Sequence, residues 1–284
     1  MRAFSHWDVA YRIKTDEIFR VVTPPAYGWV ADPFLVEFKG EVLLFAEIFL
    51  HLSRRNGVIG YCKYTGNGFG DWKVTMDRHW HLSYPFVFVK NDHLYMIPES
   101  YQLNEVNLYR LNAFPNHWEK VKSYILNVEY CDSTVFTYKD GKTYMLTFER
   151  GKIPPFGIEY IYDITDTGVA NRRIVSDRLE GARCAGRVFK DGERYIRVGQ
   201  NSSEKYGGGL IFYEIDAVCP EYVEHEIYRI DPGNINTDKN KEYTGIHTYN
   251  QLNDMEVIDL KYQESSSEEE YASDRVRKVF VGTY

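Results

Sequence analysis

Asp32 lies in the run WVADPF (29–34), with Trp29, Val30, Pro33 and Phe34 around it. Asp132 opens a similar run, YCDSTVF (130–136), while Glu180, Arg183 and Arg187 share EGARCAGR (180–187). A further carboxyl group, Glu99, closes YMIPES (95–100). A carboxyl group in apolar surroundings resists ionisation, and a neighbouring charge moves its titration up or down. Two carboxyl groups driven apart in this way suit glycosidic chemistry. The protonated one assists the leaving oxygen, and the ionised one activates the acceptor or attacks the sugar. The competing reading of Asp32 is a turn-starting Asp-Pro pair. Pro33 predicts an extended backbone at Asp32.

Such residues act together only if the fold gathers distant segments, and a repeat predicts that it does. A four-part pattern returns about every fifty residues. One member reads LLFAE (43–47), YMIPES (95–100), YMLTFE (144–149) and YIRVGQ (195–200). Its closing polar residues are Glu47, Glu99, Glu149 and Gln200, at spacings of 52, 50 and 51. The next member carries Tyr61, Tyr109, Tyr162 and Tyr213, and a tryptophan run at Trp72 or Trp118 closes the first two units. Tight turns are expected at Lys39-Gly40, Asn91-Asp92, Asp140-Gly141 and Asp191-Gly192, because Gly, Asn and Asp tolerate positive φ. Units of this length built from strands predict an all-β, five-bladed β-propeller. A β-sandwich gives no reason for the repeat.

Four blades are expected between Trp29 and about Glu224, and a fifth from Ile246, Val257 and the run from Arg277. The N-terminal segment 7–13 is expected to stand as an outer tryptophan strand that closes the ring with the last blade. Residues 1–284 are read as one domain, with QESSSEEEYASD and its flank (about 263–275) as a polar loop. In this frame Tyr84 aligns with Asp32, and Arg183 falls opposite Asp132. The axis then collects Asp32, Tyr84, Asp132, Glu180, Arg183 and His247, beside Trp29, with Glu99 at a strand end. Asp32 is expected in the largest polar pocket. Arg183 and Arg187, four apart in a strand, are expected to point to one face and hold one anionic group. The recurrent Glu47 and Glu149 suggest a structural role, such as bonding backbone amides between blades.

Net charge is −7, with 34 basic and 41 acidic residues, which argues against nucleic acid. Aromatic residues make up 16% of the chain, as inter-blade packing or sugar-binding surfaces require. No membrane span and no signal segment is expected. The four cysteines show no CxxC pairing and are expected to be free thiols in a reducing, cytoplasmic setting. No cofactor and no metal is expected: His79-Trp80-His81 lacks a third ligand, and the glycines at 66–70 precede no helix.

The segment WVADPF, the five blades and the axial carboxyl groups resemble the propeller superfamily of glycoside hydrolase family 43, the invertases and the levansucrases. That resemblance implies Asp32 as base or nucleophile, Asp132 as the residue that tunes its neighbours' titration, and Glu180 as general acid. ADPF, HLSYPFVF (81–88), YMIPES, LYRLNAFP (108–115), GARCAGR (181–187) and HTYN (247–250) look closer still to the N-terminal propeller domain of plant glucosamine inositolphosphorylceramide transferases. This resemblance implies glycosyl transfer in glycan or surface-polysaccharide assembly, on a sugar, nucleotide-sugar or glycan, beside a partner enzyme. Two alternatives stay open: a family 43-like hydrolase or phosphorylase with Glu180 or Glu99 as acid, and a non-catalytic sugar-binding propeller.

Overall fold

The computed structural model describes residues 2–51 and 57–266. The chain opens with β1 (Arg2–Ile13) and β2 (Arg20–Val21). Blade one follows as β3 (Gly28–Phe38), β4 (Glu41–Leu50), β5 (Gly57–Lys63) and β6 (Lys73–Met76). Blade two is β7 (Ser83–Lys90), β8 (His93–Glu99), β9 (Glu105–Ala113) and β10 (His117–Leu126). Blade three is β11 (Tyr130–Thr137), β12 (Thr143–Arg150), β13 (Gly157–Ile164) and β14 (Val169–Ser176). Blade four has a divided inner strand, β15 (Glu180–Cys184) and β16 (Phe189–Asp191), then β17 (Arg194–Asn201), β18 (Gly209–Ala217) and β19 (Val223–Ile230). Blade five is likewise divided inside, β20 (Tyr243–Gly245) and β21 (Tyr249–Leu252), before β22 (Met255–Ser266).

All five sheets are antiparallel, and this is the five-bladed propeller that the repeat predicts. The turns form where glycine, asparagine and aspartate allow. Lys39 and Gly40 have φ of 54° and 78°, and Asn91 and Asp92 have 49° and 60°. The ring closes where β1 pairs with β22, from Arg2 opposite Ser266 to Ile13 opposite Met255. The N-terminal strand is thus the third strand of blade five, with β2 outside it, and not the outermost strand. The polar loop expected from about 263 starts later, since residues 263–266 still belong to β22 and pair with β1; its remainder and the expected strand from Arg277 lie outside the described residues.

Apolar side chains fill the gaps between blades. Phe34, Phe45, Phe86, Met96 and Leu146 belong to a cluster that runs from blade one round to blade four. Two smaller clusters join blade five to blades one and four. Each Leu, Val or Phe buried whole contributes roughly 1.5–3 kcal/mol, so the rim of the axis is a fixed scaffold. Among the described residues no helix is long and apolar enough to cross a membrane.

Candidate functional site

Blades one to three share one irregularity. Their inner ladders slip between Ala31 and Phe34, between Ser83 and Phe86, and between Cys131 and Thr134. Inside each slip one residue turns left-handed: φ is 52° at Asp32, 41° at Tyr84 and 50° at Asp132. A bulge of this kind re-aims its side chain. Asp32 is therefore not extended as Pro33 predicts; the bulge overrides the proline's local preference.

The three re-aimed side chains meet different neighbours. Asp32 accepts the Thr248 hydroxyl at Oδ1 (2.9 Å) and the Tyr84 backbone N–H at Oδ2 (3.1 Å). His247 places Nε2 3.9 Å from the same Oδ1. Burial, opposed by His247, pushes the Asp32 carboxyl up to about 6. Asp259, fully buried on β22, organises this corner. It accepts the backbone N–H groups of Asp32 (3.0 Å), His247 (2.9 Å) and Thr248 (2.9 Å), and holds Nδ1 of His247 at 2.6 Å. That contact fixes a proton on Nδ1 and turns Nε2 toward Asp32. The His247 ring stacks on Trp7 with centroids 4.0 Å apart. Burial works against a charge on His247, but Asp259 and then Asp32 prevail and raise its titration.

Asp132 lies under Arg183, which grips it twice, from Nε to Oδ2 (2.5 Å) and from Nη2 to Oδ1 (3.0 Å). The Gln200 side-chain amide donates a further hydrogen bond to Oδ2 at 2.9 Å. The same Nη2 reaches Glu99 at 3.1 Å. Burial, then the charge of Asp132, pushes Glu99 up to about 8 despite this contact, because the short bidentate grip belongs to Asp132. Glu47 faces the same space, held well above its usual range by burial and then by Asp32 and Glu99. His81 accepts the Gly57 N–H at Nδ1 (2.9 Å), so its Nε2–H faces Glu47 Oε1 at 3.6 Å. Burial, with Arg183 and Arg150, holds His81 down to about 4, hence neutral. A Cβ at Gly57 would collide with Glu47 Oε1, so glycine there makes room for the carboxyl group.

Asp32, Glu47, His81, Glu99, Arg183 and His247 line a cavity of about 290 Å³, whereas Asp132 and Asp259 are not part of its lining and act through Arg183 and His247. Its walls are Trp29 stacked on Phe49 (4.7 Å), Phe148 and Tyr206, and its rim includes Arg150, which lies over the Tyr101 ring at 4.2 Å. Asp32, Glu99, Arg183, Trp29 and His247 all contribute to it. It is not the largest hollow: one of about 780 Å³ lies elsewhere.

Three expected site residues stand apart. Tyr84 is sealed in the axis, its hydroxyl bonded to Thr134 (2.8 Å) and to the Gly186 carbonyl (3.0 Å). Glu180 lies outside the cavity, its carboxylate 44% exposed and paired with Arg229. Blade four has an additional residue between Glu180 and Cys184, and the chain turns at Gly181 (φ 85°), where the Tyr213 hydroxyl fills the place of a Cβ. Arg187 does not share a face with Arg183. The strand ends at Cys184 and Gly186 (φ 135°) redirects the chain, so strand alternation no longer governs the pair. Arg183 itself is presented from a fixed backbone, since buried Arg197 takes the carbonyls of Gly181 (2.9 Å) and Ala182 (3.1 Å).

Asp32, His247 and Asp259 could hold a cation, with ligand atoms within 4.8 Å of one another. Asp259 is already satisfied by its four donors, so the corner stands on protein bonds alone.

Residues 2–262 match the family described as glucosamine inositolphosphorylceramide transferase 1, N-terminal. The chain belongs to this family. It is 33% identical over 213 residues to glucosamine inositolphosphorylceramide transferase 1 of Arabidopsis thaliana, covering 70% of this chain and 27% of the relative. The protein of the same name from Oryza sativa subsp. indica is 32% identical over 234 residues, covering 76% of this chain and 30% of the relative. The chain therefore spans less than a third of these relatives. Among solved structures it is similar to the catalytic domain of a Coprinopsis cinerea GH62 α-L-arabinofuranosidase (TM-score 0.58, 10% identity, 84% of this chain and 91% of that one). It is equally similar to a thermostable family-43 glycoside hydrolase (TM-score 0.58, 11% identity, 84% and 90%). At such identity these two establish the fold.

Within this family member the residues that pattern reading missed are Glu47, His81, Thr248, Asp259, Phe148 and Tyr206. Two had a signal. Asp259 is a carboxylate inside the apolar run VIDL (257–260), which a buried strand carries only for a purpose. Glu47 pairs with Ala31 as Glu99 pairs with Ser83, each one residue before the bulge. The matching residue in blade three is Phe148, opposite Cys131, and not Glu149.

Proposed function

We propose that this domain binds one sugar unit in the axial cavity and acts at its glycosidic bond. Asp32 serves as the ionised base and Glu99 as the protonated acid. The observation that carries this reading is the pairing of Asp32 (about 6) with Glu99 (about 8) inside one aromatic-walled cavity. Between those values one group is charged and the other holds its proton, the division of labour that glycosidic chemistry needs. The ring pair Trp29–Phe49 offers an apolar platform for a sugar face.

The names of the relatives favour transfer over hydrolysis and an amino sugar as the unit. Glu47, Glu99 and Asp32 line the cavity, and its central cation, Arg183, is already shared by Asp132 and Glu99. Near neutrality Glu47 and Glu99 hold their protons and Asp32 carries the charge, so a sugar ammonium can pair with Asp32, while an anion finds Arg183 already engaged. A cytoplasmic setting in glycan assembly belongs to the same proposal, supported by the free state of Cys62, Cys131, Cys184 and Cys219.

A sugar-binding role without chemistry has one observation in its favour: both oxygens of Asp32 already accept a hydrogen bond. The experiment that separates the readings presents glucosamine, N-acetylglucosamine and neutral glycosides, following binding and bond cleavage or transfer by NMR. Turnover lost in both Asp32→Asn and Glu99→Gln supports catalysis. Binding with no turnover in the unmodified protein leaves the binding module. No sugar binding at all sinks the proposal.

A further inference from the structure

The inner strands that begin at the carboxyl-lined cavity end at a second, larger hollow of about 780 Å³ between blades two and three. Its chemistry is the opposite. Arg187 enters it from blade four, with Nη2 donating to the carbonyls of Val87 (2.7 Å) and Leu35 (3.3 Å) and the guanidinium 5.4 Å from the Phe86 ring centroid. Carbonyls accept hydrogen bonds but carry no net charge, and among the described residues no carboxylate forms an ion pair with Arg187. A guanidinium taken from water without a counter-charge is costly to hold. Lys90 and Lys142 stand exposed at the same hollow, and neither is in an ion pair among the described residues. Two carboxylates line the same hollow: Asp163, taken by Arg173 at 2.6 Å and by Asn171 at 2.7 Å, and Asp166, next to which Lys122 donates to the carbonyls of Thr165 (3.1 Å) and Asp166 (2.7 Å). Rings of Phe88 and Phe136 complete the wall. On a chain of net charge −7, this concentration of cations is local. Tyr84, buried across the axis, stands between the two hollows, since its N–H meets Asp32 while its hydroxyl meets Gly186, next to Arg187.

We propose that this hollow is a binding site for a small phosphate ester, with the phosphate on Arg187, Lys90 and Lys142 and the rest of the ligand against Phe88 and Phe136. Arginine gives a forked contact and lysine a point charge, the combination used for phosphate oxygens. The site is separate from the sugar cavity and does not depend on chemistry there.

The test is calorimetric titration of the full chain with UDP and with pyrophosphate at two salt concentrations. Both are expected to bind, less tightly at high salt, and UDP more tightly than pyrophosphate because its base adds ring contact. The paired substitutions Lys90→Glu and Lys142→Glu are expected to weaken both by at least about tenfold, the effect of losing one charge-assisted contact. Arg187→Met is expected to weaken them further. The exposed lysines keep the proposal testable if that buried change prevents folding. Asp32→Asn is expected to leave phosphate binding unchanged. Affinity untouched by the lysine changes overturns the proposal, and so does binding lost in Asp32→Asn, which would move the ligand to the other cavity. Binding to anionic vesicles that UDP fails to compete would also overturn it, in favour of a membrane surface.

Discussion

Asp32 and Asp132 occupy the same bulge of two blades, with φ of 52° and 50°, yet they face opposite company. Asp32 meets neutral donors and the edge of His247; Asp132 meets a bidentate guanidinium and an amide. The repeated backbone thus delivers a carboxylate to the axis, and the neighbours decide its work. Arg183 holds Asp132 by both oxygens, while burial and then the charge of Asp132 keep the proton on Glu99. Asp32, without a guanidinium, remains able to exchange its proton near neutrality.

Breaking the free member of the pair should cost most in function. Asp32→Asn is expected to lower turnover by about 10²–10⁴-fold, with stability reduced by about 1 kcal/mol, one hydrogen bond's worth. Unchanged turnover would reject the base role. Breaking the paired member should cost most in stability. Arg183→Met strands Asp132 and is expected to cost about 3 kcal/mol in urea unfolding, partly recovered when Asp132→Asn is added. A fully additive double variant would show that the two do not act as a unit.

Acidity sharpens the comparison next. Activity should follow a bell with limbs near about 6, where Asp32 gains its proton, and about 8, where Glu99 loses its own. One unit outside either limb, the rate is expected to drop about tenfold. Stability carries its own sign. Both carboxyl groups titrate above their ordinary values of 3.8 and 4.5, so the folded state holds protons that the unfolded chain releases. The melting temperature should therefore fall as pH rises from about 4 to about 8, unlike the behaviour of salt-bridged carboxylates. A rise across that range would show that Asp32 and Glu99 are ionised in the fold. The smallest effect is expected from Glu47→Gln, which keeps the shape of a side chain that already holds its proton and leaves Asp32 untouched: a few-fold rise in KM with kcat nearly constant, about 0.5–1 kcal/mol of uniform binding.

The blades, their turns and the Arg183–Asp132 pair were legible because they depend on spacing, and a repeat near fifty residues places Arg183 opposite Asp132 directly. What spacing does not carry is the face that a residue presents. The bulge is the same in blades one to three, but the hairpin from Thr134 to its partner Leu146 is one residue longer than those from Phe34 to Phe45 and from Phe86 to Ile97, so Phe148 and not Glu149 reaches the cavity. The additional residue in blade four, with the turn at Gly181, directs Glu180 outward, and Gly186, also at positive φ, sends Arg187 to the far end of the axis. His247 was readable as an axial residue. The break in the inner strand of blade five, with its N–H groups satisfied by Asp259, was not, because that contact joins residues on neighbouring strands through a side chain.

The pairing of β1 with β22 also sets an order in time. Synthesis delivers β1 ahead of β22, with about 240 residues between their paired ends. At 5–20 residues per second that is a wait of roughly 10–50 s, during which blades one to four can form while the first strand has no partner. The arrival of β22 brings Asp259, and with it the seat for His247, to the waiting Asp32. A nascent or truncated chain can therefore own a nearly complete ring without the Asp259 corner, which assembles in a single late event.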